Sequence, residues 1–336
     1  MRIGIIGAGA VAPLHARAAG LLRDVEMTAV CDLQPAAAAK VAEPIGARVF
    51  HDYRDMFASG TIDAVIVNTP HSLHRDMTVA AAAAGLHVLV EKPMAITLED
   101  CDAMVAATEQ AGVVLRVGQI QHFLPDKTAL ASAIAAGAIG PARMIHDFRT
   151  TDYRPGSRSP WFLSRELAGG GAVMNIGGHC LDRVVWLGGA SAVTVSADTL
   201  TRFGVPVETD ASIRLRLANQ VVATITVVSD SPRRVDECTV VGDEGVLIAG
   251  PDVGAVLRCD GQTQVLHEPS PDDVPEAFRL QLADFVAASK GLRSAVTLSH
   301  SRHVVELVLA VYASSATDGR PMQLGSTKSS VSVAGS

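Results

Sequence analysis

Short apolar runs alternate with helix-length stretches from Arg2 to about Gly118, and that rhythm leaves few folds open. "RIGIIGAG" reads as a strand entering a glycine turn, and "PLHARAAGLL" as a helix. "EMTAVCDL", "ARVFHDY", "DAVIVNTP", "HVLVEKP" and "VVLRVG" read as further strands. Between them stand the helices "PAAAAKVAEPIG", "RDMFAS", "HRDMTVAAAAAG" and "TLEDCDAMVAATEQAG". Pro44 is expected to cut the first of these short, Gly85 to close the third, and Thr97 and Gly112 to cap and stop the last. A helix between successive strands requires parallel pairing with right-handed crossovers, hence a doubly wound sheet.

The texture changes after Gln119. A helix over "DKTALASAIAAG" leads to the strand "ARMIHDFRTTDY". From about Ala190 the segments "AVTVSADTLT", "TDASIRLRLAN", "QVVATITVVSD", "DECTVVGDEGVLIAG", "AVLRCDG" and "TQVLHE" follow one another as strands. Strands in direct succession make a mostly antiparallel sheet. "PEAFRLQLADFVAASKG" and "SHSRHVVELVLAVYASSATDG" return to helix. The expected fold is α/β: a Rossmann-type, doubly wound parallel domain over 1–120 and an α+β domain with an open, mostly antiparallel sheet over 121–325. A small, polar, flexible tail occupies 326–336. A chain of 336 residues exceeds what one core usually serves, in keeping with two domains.

A net charge of −7 gives no reason to expect nucleic acid or an anionic membrane surface as partner. No apolar run approaches the roughly 20 residues that span a bilayer. "MRIGIIGAGA" enters a strand at once, without the layout of a secretory signal. Five scattered cysteines, with no CxxC pair, fit reduced thiols in a cytoplasmic setting and give no reason to expect a cysteine metal site. No metal site is expected elsewhere.

Chemistry first enters at "GIIGAGAVAPLHA", where Gly7, Gly9 and Ala12 hold the G-x-G-x-x-A spacing around Ala10 and Val11. Gly7 permits the tight turn, Gly9 lets a pyrophosphate approach the backbone, and Ala12 lets the helix pack close to the strand. The helix N-terminus supplies its dipole and free N–H groups. Asp32 ends the second strand about twenty residues further on, where a carboxylate accepts both hydroxyls of an adenosine ribose. The same aspartate in isolation would be a solvated turn residue; with both features in register, dinucleotide binding is expected. A 2′-phosphate would be repelled by Asp32, and Leu33, Gln34 and Pro35 offer no cation, so NAD is expected over NADP. Arg17, Lys40 and Arg54 are the cations that could reverse this by folding toward the pocket.

"VNTPHSLHRDMTVAAAAAGLHVLVEKPMA" adds Thr69, Pro70 and His74 and the triplet Glu91-Lys92-Pro93. With the glycine turn and the downstream "AGGGAVMNIGGHCLDRVVWLGG", this order of motifs resembles the Gfo/Idh/MocA family, named for glucose–fructose oxidoreductase, inositol dehydrogenase and MocA. The resemblance spans about Met1–Gly189. It implies a Rossmann domain followed by a domain on an open antiparallel sheet, and an oligomer, a homodimer or homotetramer, built through that second sheet.

By resemblance, Lys92 lies beside the nicotinamide and reaches a substrate hydroxyl. Doubly wound folds place their ligand crevice at the carboxyl ends of strands, where Lys92 stands. A lysine in a partly dry cleft has a lowered pKa and, as ammonium, stabilises a developing alkoxide. Glu91 is placed with it on the cofactor side, although Lys92 paired simply with Glu91 or with a surface carboxylate is the plainer reading. The Lys92–Pro93 bond is cis in related proteins. Asn68, Thr69 and Pro70 are expected to form the rim over which the cofactor passes. His74 either shapes the nicotinamide pocket, as the resemblance implies, or caps its turn.

In "GGGAVMNIGGHCLDR", Asn175 and His179 are four residues apart and Asp182 is three beyond His179, so a helix would set all three along one edge. Gly177 and Gly178 weaken that helix and suggest close approach of another group. A histidine is the natural group to exchange an alcohol proton as hydride moves, and by resemblance His179 is the acid–base residue. Inositol dehydrogenase-like members carry aspartate where this chain has Asn175. An asparagine can orient a substrate or a ring but takes no proton, which leaves Lys92 and His179 as the catalytic pair with Asn175 positioning. In "DFRTTDYRPGSRSPWF", Tyr153 and Arg154 are candidate contacts to an oxygen-rich substrate or, equally, parts of a solvated loop or a subunit contact. Gln119 and His122 are further candidates to face the cleft, and Cys180 and Trp186 are expected in the core.

The expected activity is hydride transfer between NAD and a secondary alcohol or ketone of a sugar, cyclitol or related small polyhydroxy substrate. Two alternatives are a redox-cycling lyase or glycosidase of the same family and a non-catalytic NAD-binding regulator.

Overall fold

In the computed structural model the described residues are 1–325; the tail expected to be flexible, 326–336, lies outside them. The chain runs β1 (Arg2–Ile6), α1 (Ala12–Gly20), β2 (Glu26–Cys31), α2 (Pro35–Ala42), β3 (Arg48–Phe50), α3 (Tyr53–Ala58), β4 (Ala64–Val67), α4 (His74–Ala83), β5 (His87–Glu91), α5 (Leu98–Ala111) and β6 (Leu115–Gly118). All adjacent pairs of these strands are parallel, in the order β3-β2-β1-β4-β5-β6. The strands become sheet because both faces are covered: Ala64, Val65, Ile66 and Val67 are all fully buried, as a central parallel strand requires. α5 is delimited as the sequence implies. The Thr97 hydroxyl accepts from Asp100 N at 3.1 Å, and Gly112 ends the helix at φ +66°. Strand order reverses between β1 and β4, so their carboxyl ends open the crevice where such folds bind ligands.

The second sheet is reached through α6 (Pro125–Ala135), β7 (Ala142–Thr151), α7 (Arg165–Ala168) and α8 (Gly178–Gly188). It continues with β8 (Ala192–Leu200), β9 (Asp210–Leu217), β10 (Val222–Ser229), β11 (Asp236–Gly242), β12 (Val246–Gly250), β13 (Gly254–Cys259) and β14 (Gln262–His267). Then come α9 (Asp273–Ser289), α10 (Leu298–Ser315) and β15 (Met322–Gln323). The order is β14-β13-β12-β11-β7-β10-β9-β8-β15, antiparallel except for the β7–β10 pair. Along β9 the residues Ile213, Leu215 and Leu217 are buried and Ser212, Arg214 and Arg216 exposed, so one face packs and the other is open.

The packed face lies under α8 and α10, whose Leu181, Val184, Leu307 and Val308 join its core. The stretch after residue 120 does not stay in one domain, however. Phe278, Leu282 and Phe285 of α9 share a core with Ile3, Ile5 and Val30, and Val305 of α10 packs with Val65 and Val90. The chain folds back because α9 and α10 carry apolar residues enough to serve both sheets. The result ties the two lobes into one frame around the crevice. Among the described residues, no helix is long and apolar enough to cross a membrane.

Candidate active site

The glycine turn after β1 is shaped by one close approach. Gly7 has φ +92°, and a Cβ there would lie 2.2 Å from the Asn68 carbonyl oxygen. Asn68 in return donates Nδ2–H to the Gly7 carbonyl at 3.0 Å, which joins the ends of β1 and β4. A Cβ on Gly9 would meet nothing within 4 Å, so the backbone there faces open space. No side chain caps the start of α1. Asp32 receives Ala8 N–H and Gln34 N–H, each at 2.8 Å, and its remaining lone pairs are left for a diol. An uncapped helix start, an open glycine and a fixed carboxylate beside them fit a dinucleotide. None of the three cations that could favour a 2′-phosphate engages Asp32. Arg17 pairs with Asp272, Arg54 lies over the Tyr53 ring, and Lys40 is exposed on α2.

At the end of β5 the two charges part company. The Glu91 carboxylate turns to His15 of α1, 2.8 Å from Nε2, and a Cβ on Gly118 would press within 3.0 Å of it. Burial opposes its ionisation, but the His15 bond and the nearby Lys92 charge hold it below the ordinary glutamate value. Glu91 therefore braces α1 against the strand end and does not reach toward a cofactor.

Lys92 turns the other way. Its Nζ donates to Asn175 Oδ1 at 2.7 Å and to the Asn175 carbonyl at 3.1 Å, and the third ammonium proton is left for a ligand. Burial is the main cause that lowers its pKa to about 8; Glu91 opposes this, and Arg149 and Arg158 add to it. The surface Glu91–Lys92 pair is thus excluded, and the Lys92–Pro93 bond is cis.

Asn175 and His179 do not share one regular α-helix. Val173–Gly177 is a π-helical turn that runs into α8, and such turns are frequent at functional sites. The tight glycines are also different from those expected. A Cβ on Gly171 would lie 2.1 Å from the Glu208 carbonyl, whereas one on Gly178 would meet nothing within 4 Å. Gly178 instead lines a small, mostly apolar cleft with Lys92, Gln119, His179 and Asp182. Burial first, then the charges of Lys92 and Arg149, push the His179 imidazole well below its ordinary value, so a neutral imidazole shares the cleft with Lys92.

Four further expectations change. His74 is fully buried between the Pro93 carbonyl (3.0 Å from Nδ1) and the Thr69 carbonyl (3.1 Å from Nε2), so it braces two loops and has no ring nitrogen free for a cofactor. Tyr153 is fully buried with its hydroxyl on the Gly171 carbonyl, and Arg154 is exposed and paired with Asp152 and Asp230; neither lines the cleft. His122 faces Asp182 and stacks near Trp186. Gln119 does line the cleft, with its Oε1 accepting from the Ser301 hydroxyl at 2.5 Å. Thr69 and Pro70 stand beside Asn68 at the end of β4, and Cys180 is fully buried.

Two framework features were not visible in the sequence. Arg183 is fully buried and bidentate to Asp147 (2.6 and 2.8 Å), with Asp236 at 2.9 Å, which pins α8 to β7 and β11. Asp182 accepts from His122 and His300. Partners 36 to 118 residues apart leave no local signal.

A family model described as "Oxidoreductase family, NAD-binding Rossmann fold" matches residues 1–119, and the GFO/IDH/MocA C-terminal domain matches residues 128–248. The chain belongs to the Gfo/Idh/MocA family. Its relatives include a 1-carboxy-3-chloro-3,4-dihydroxycyclohexa-1,5-diene dehydrogenase of Comamonas testosteroni, 33% identical over 67% of this chain and 57% of that one. The match therefore spans little more than half of that relative. Inositol 2-dehydrogenase 1 of Saccharopolyspora erythraea is 28% identical over 87% of each chain. The crystal structure of the WlbA dehydrogenase from Bordetella pertussis, in complex with NADH and UDP-GlcNAcA, superposes with a TM-score of 0.82 at 26% identity, covering 97% of this chain and 98% of that one.

Proposed function

We propose that this member of the family is an NAD-dependent dehydrogenase that moves a hydride between the nicotinamide and a secondary alcohol or ketone of a small polyhydroxy compound, a sugar or cyclitol. The observation that carries the reading is the pairing, in one cleft at the strand ends, of the Lys92 ammonium with the neutral imidazole of His179. Bound NAD would supply the hydride acceptor. In the oxidative direction His179 takes the hydroxyl proton while Lys92 stabilises the alkoxide that forms, and Asn175 fixes Lys92 through its side-chain and backbone oxygens. Gly7, Gly9, Ala10, Val11 and Ala12 would hold the pyrophosphate and Asp32 the adenosine ribose. Asp32 supports NAD over NADP.

The relatives named for cyclitol-like substrates, and the sugar nucleotide beside NADH in the solved neighbour, support the substrate class. The open face of the second sheet, with Met144 over half exposed, supports self-association into a dimer or tetramer, which sedimentation would test. The direct test of function is incubation with NAD and a panel of polyols, cyclitols and glycosides. Reduced nicotinamide should appear with at least one of them; tight NAD binding without turnover of any would contradict the reading.

A further inference from the structure

Two guanidiniums near Lys92 have no part in the reaction described above. Arg149 stands at the carboxyl end of β7, on the face that carries Asp147, which Arg183 of α8 grips. Among the described residues its guanidinium makes no hydrogen bond. Asp236 Oδ2 is 3.6 Å from Nη2, too long for one, while Asp236 Oδ1 accepts from Arg183 at 2.9 Å. Of the three Arg149 nitrogens only Nη1 is sealed from solvent without a partner, and 17% of the side chain is exposed. The fork is therefore reachable.

Arg158 comes to the same place from the loop after β7. Its Nη2 donates to the Thr151 hydroxyl and its Nε to the Asp152 carbonyl. Thr151 is two residues beyond Arg149 in the unbroken β7–β10 ladder, so both side chains leave the strand on one face and Arg158 is tied beside Arg149. Arg158 Nη1 has no partner among the described residues, and the Asp152 carboxylate is taken by Arg154 at 3.1 and 2.9 Å. A line of contacts joins this pair to the reaction centre. The Arg158 guanidinium lies 4.5 Å over the Tyr153 ring, the Tyr153 hydroxyl donates to the Gly171 carbonyl, and the same carbonyl accepts Asn175 N–H at 3.1 Å. Asn175 in turn holds Lys92. Burial and then both guanidiniums lower the Lys92 pKa, so the three charges share one neighbourhood.

Structural pairing closes such bonds, as Arg183 does with Asp147. Here three cations converge while the carboxylates beside them are spent on other guanidiniums. Like charges in a partly dry place are costly unless an anion joins them. Two planar forks with unused N–H groups match the oxygens of a carboxylate or phosphate. We infer that Arg149 and Arg158 hold an anionic group of the substrate, a carboxylate or a phosphate, while Lys92 and His179 act on one of its hydroxyls. The inference rests on the dehydrogenase reading and narrows it: the substrate is an acidic sugar or cyclitol rather than a neutral polyol. The anion is bound alike before and during hydride transfer, so its loss should appear in KM more than in kcat.

The test is calorimetric binding to the NAD-loaded protein of matched compounds: glucose, glucuronate and glucose phosphate; galactose, galacturonate and galactose phosphate; myo-inositol and its monophosphate. At least one acid should bind about tenfold or more tightly than its neutral counterpart, with a margin that shrinks as salt is raised. The acid that binds best separates carboxylate from phosphate. Arg149→Met and Arg158→Met should each weaken that acid about 10- to 100-fold, with the neutral compound and NAD hardly changed. Arg149→Lys should recover part of the loss. A merely structural role would shift acid and neutral compound alike. Neutral compounds that bind as well as the acids, no binding by any acid, or equal losses for both kinds would overturn the inference. If a variant does not fold, the wild-type ranking decides. An acid preference carried by both arginines without any NADH formed would sink the dehydrogenase reading alone. NADH from a neutral polyol with no acid preference would sink this inference alone.

Discussion

The two walls of the cleft are built by different means. The Rossmann wall is backbone geometry: Gly7 against the Asn68 carbonyl, an uncapped α1, and strand ends that present Asp32 and Lys92. The facing wall is a side-chain lattice. A π-helical turn offsets Asn175 from α8, Arg183 pins that helix to two aspartates, and Asp182 is gripped by histidines from two distant segments. A wall made of backbone fixes where a cofactor lies and tolerates little change. A wall made of side chains can be re-specified for a new substrate without altering the cofactor turn.

Substitutions across the two walls would sharpen or break this contrast. The largest effect belongs to the residue that joins them. Lys92→Met should lower kcat about 10³-fold, near 4 kcal/mol, while NAD affinity measured by fluorescence hardly moves. A loss confined to KM would show that Lys92 only binds. Arg183→Met would leave Asp147 fully buried with no guanidinium and should cost about 3–5 kcal/mol in denaturant unfolding, against no measurable loss if the pairing is incidental. Gly7→Ala adds a methyl at φ +92° against a carbonyl and should destabilise the protein by about 2–3 kcal/mol, with calorimetry showing loss of NAD binding. Retained affinity would contradict the backbone account of that wall.

The smallest effect is a shift in pH dependence. Lys92 has a pKa lowered to about 8, so it is ammonium below that pH, and activity should fall as pH rises through about 8. Asn175→Asp places a negative charge on the atom that Lys92 donates to, 2.7 Å away, and should raise the lysine pKa. The alkaline limb should move up by about one unit; a limb that stays or moves down would separate Lys92 from the titration.

Legibility followed the same division. Gly7, Gly9, Ala12 and Asp32 are close in sequence and obey local rules, so the tight turn at Gly7, the helix after it and the parallel sheet could be read directly. Lys92 and His179 could be read as residues, but not the geometry that joins them. Nothing in "MNIGGH" announces a π-turn, and a regular helix was the natural expectation. His74, Tyr153 and Glu91 misled because polar residues in a motif look like ligand contacts until their partners are known. All three are satisfied by distant groups: two loop carbonyls, the Gly171 carbonyl and His15. Asp182 and His300, 118 residues apart, had no local pattern to reveal them.

A crystal structure of the ternary complex with NAD and a bound polyol tests the central claim most directly. One substrate oxygen should lie about 3 Å from both Lys92 Nζ and a His179 ring nitrogen, with its carbon facing C4 of the nicotinamide. A substrate oxygen that meets neither nitrogen, or a Lys92 still bonded to Asn175 alone, would contradict the account.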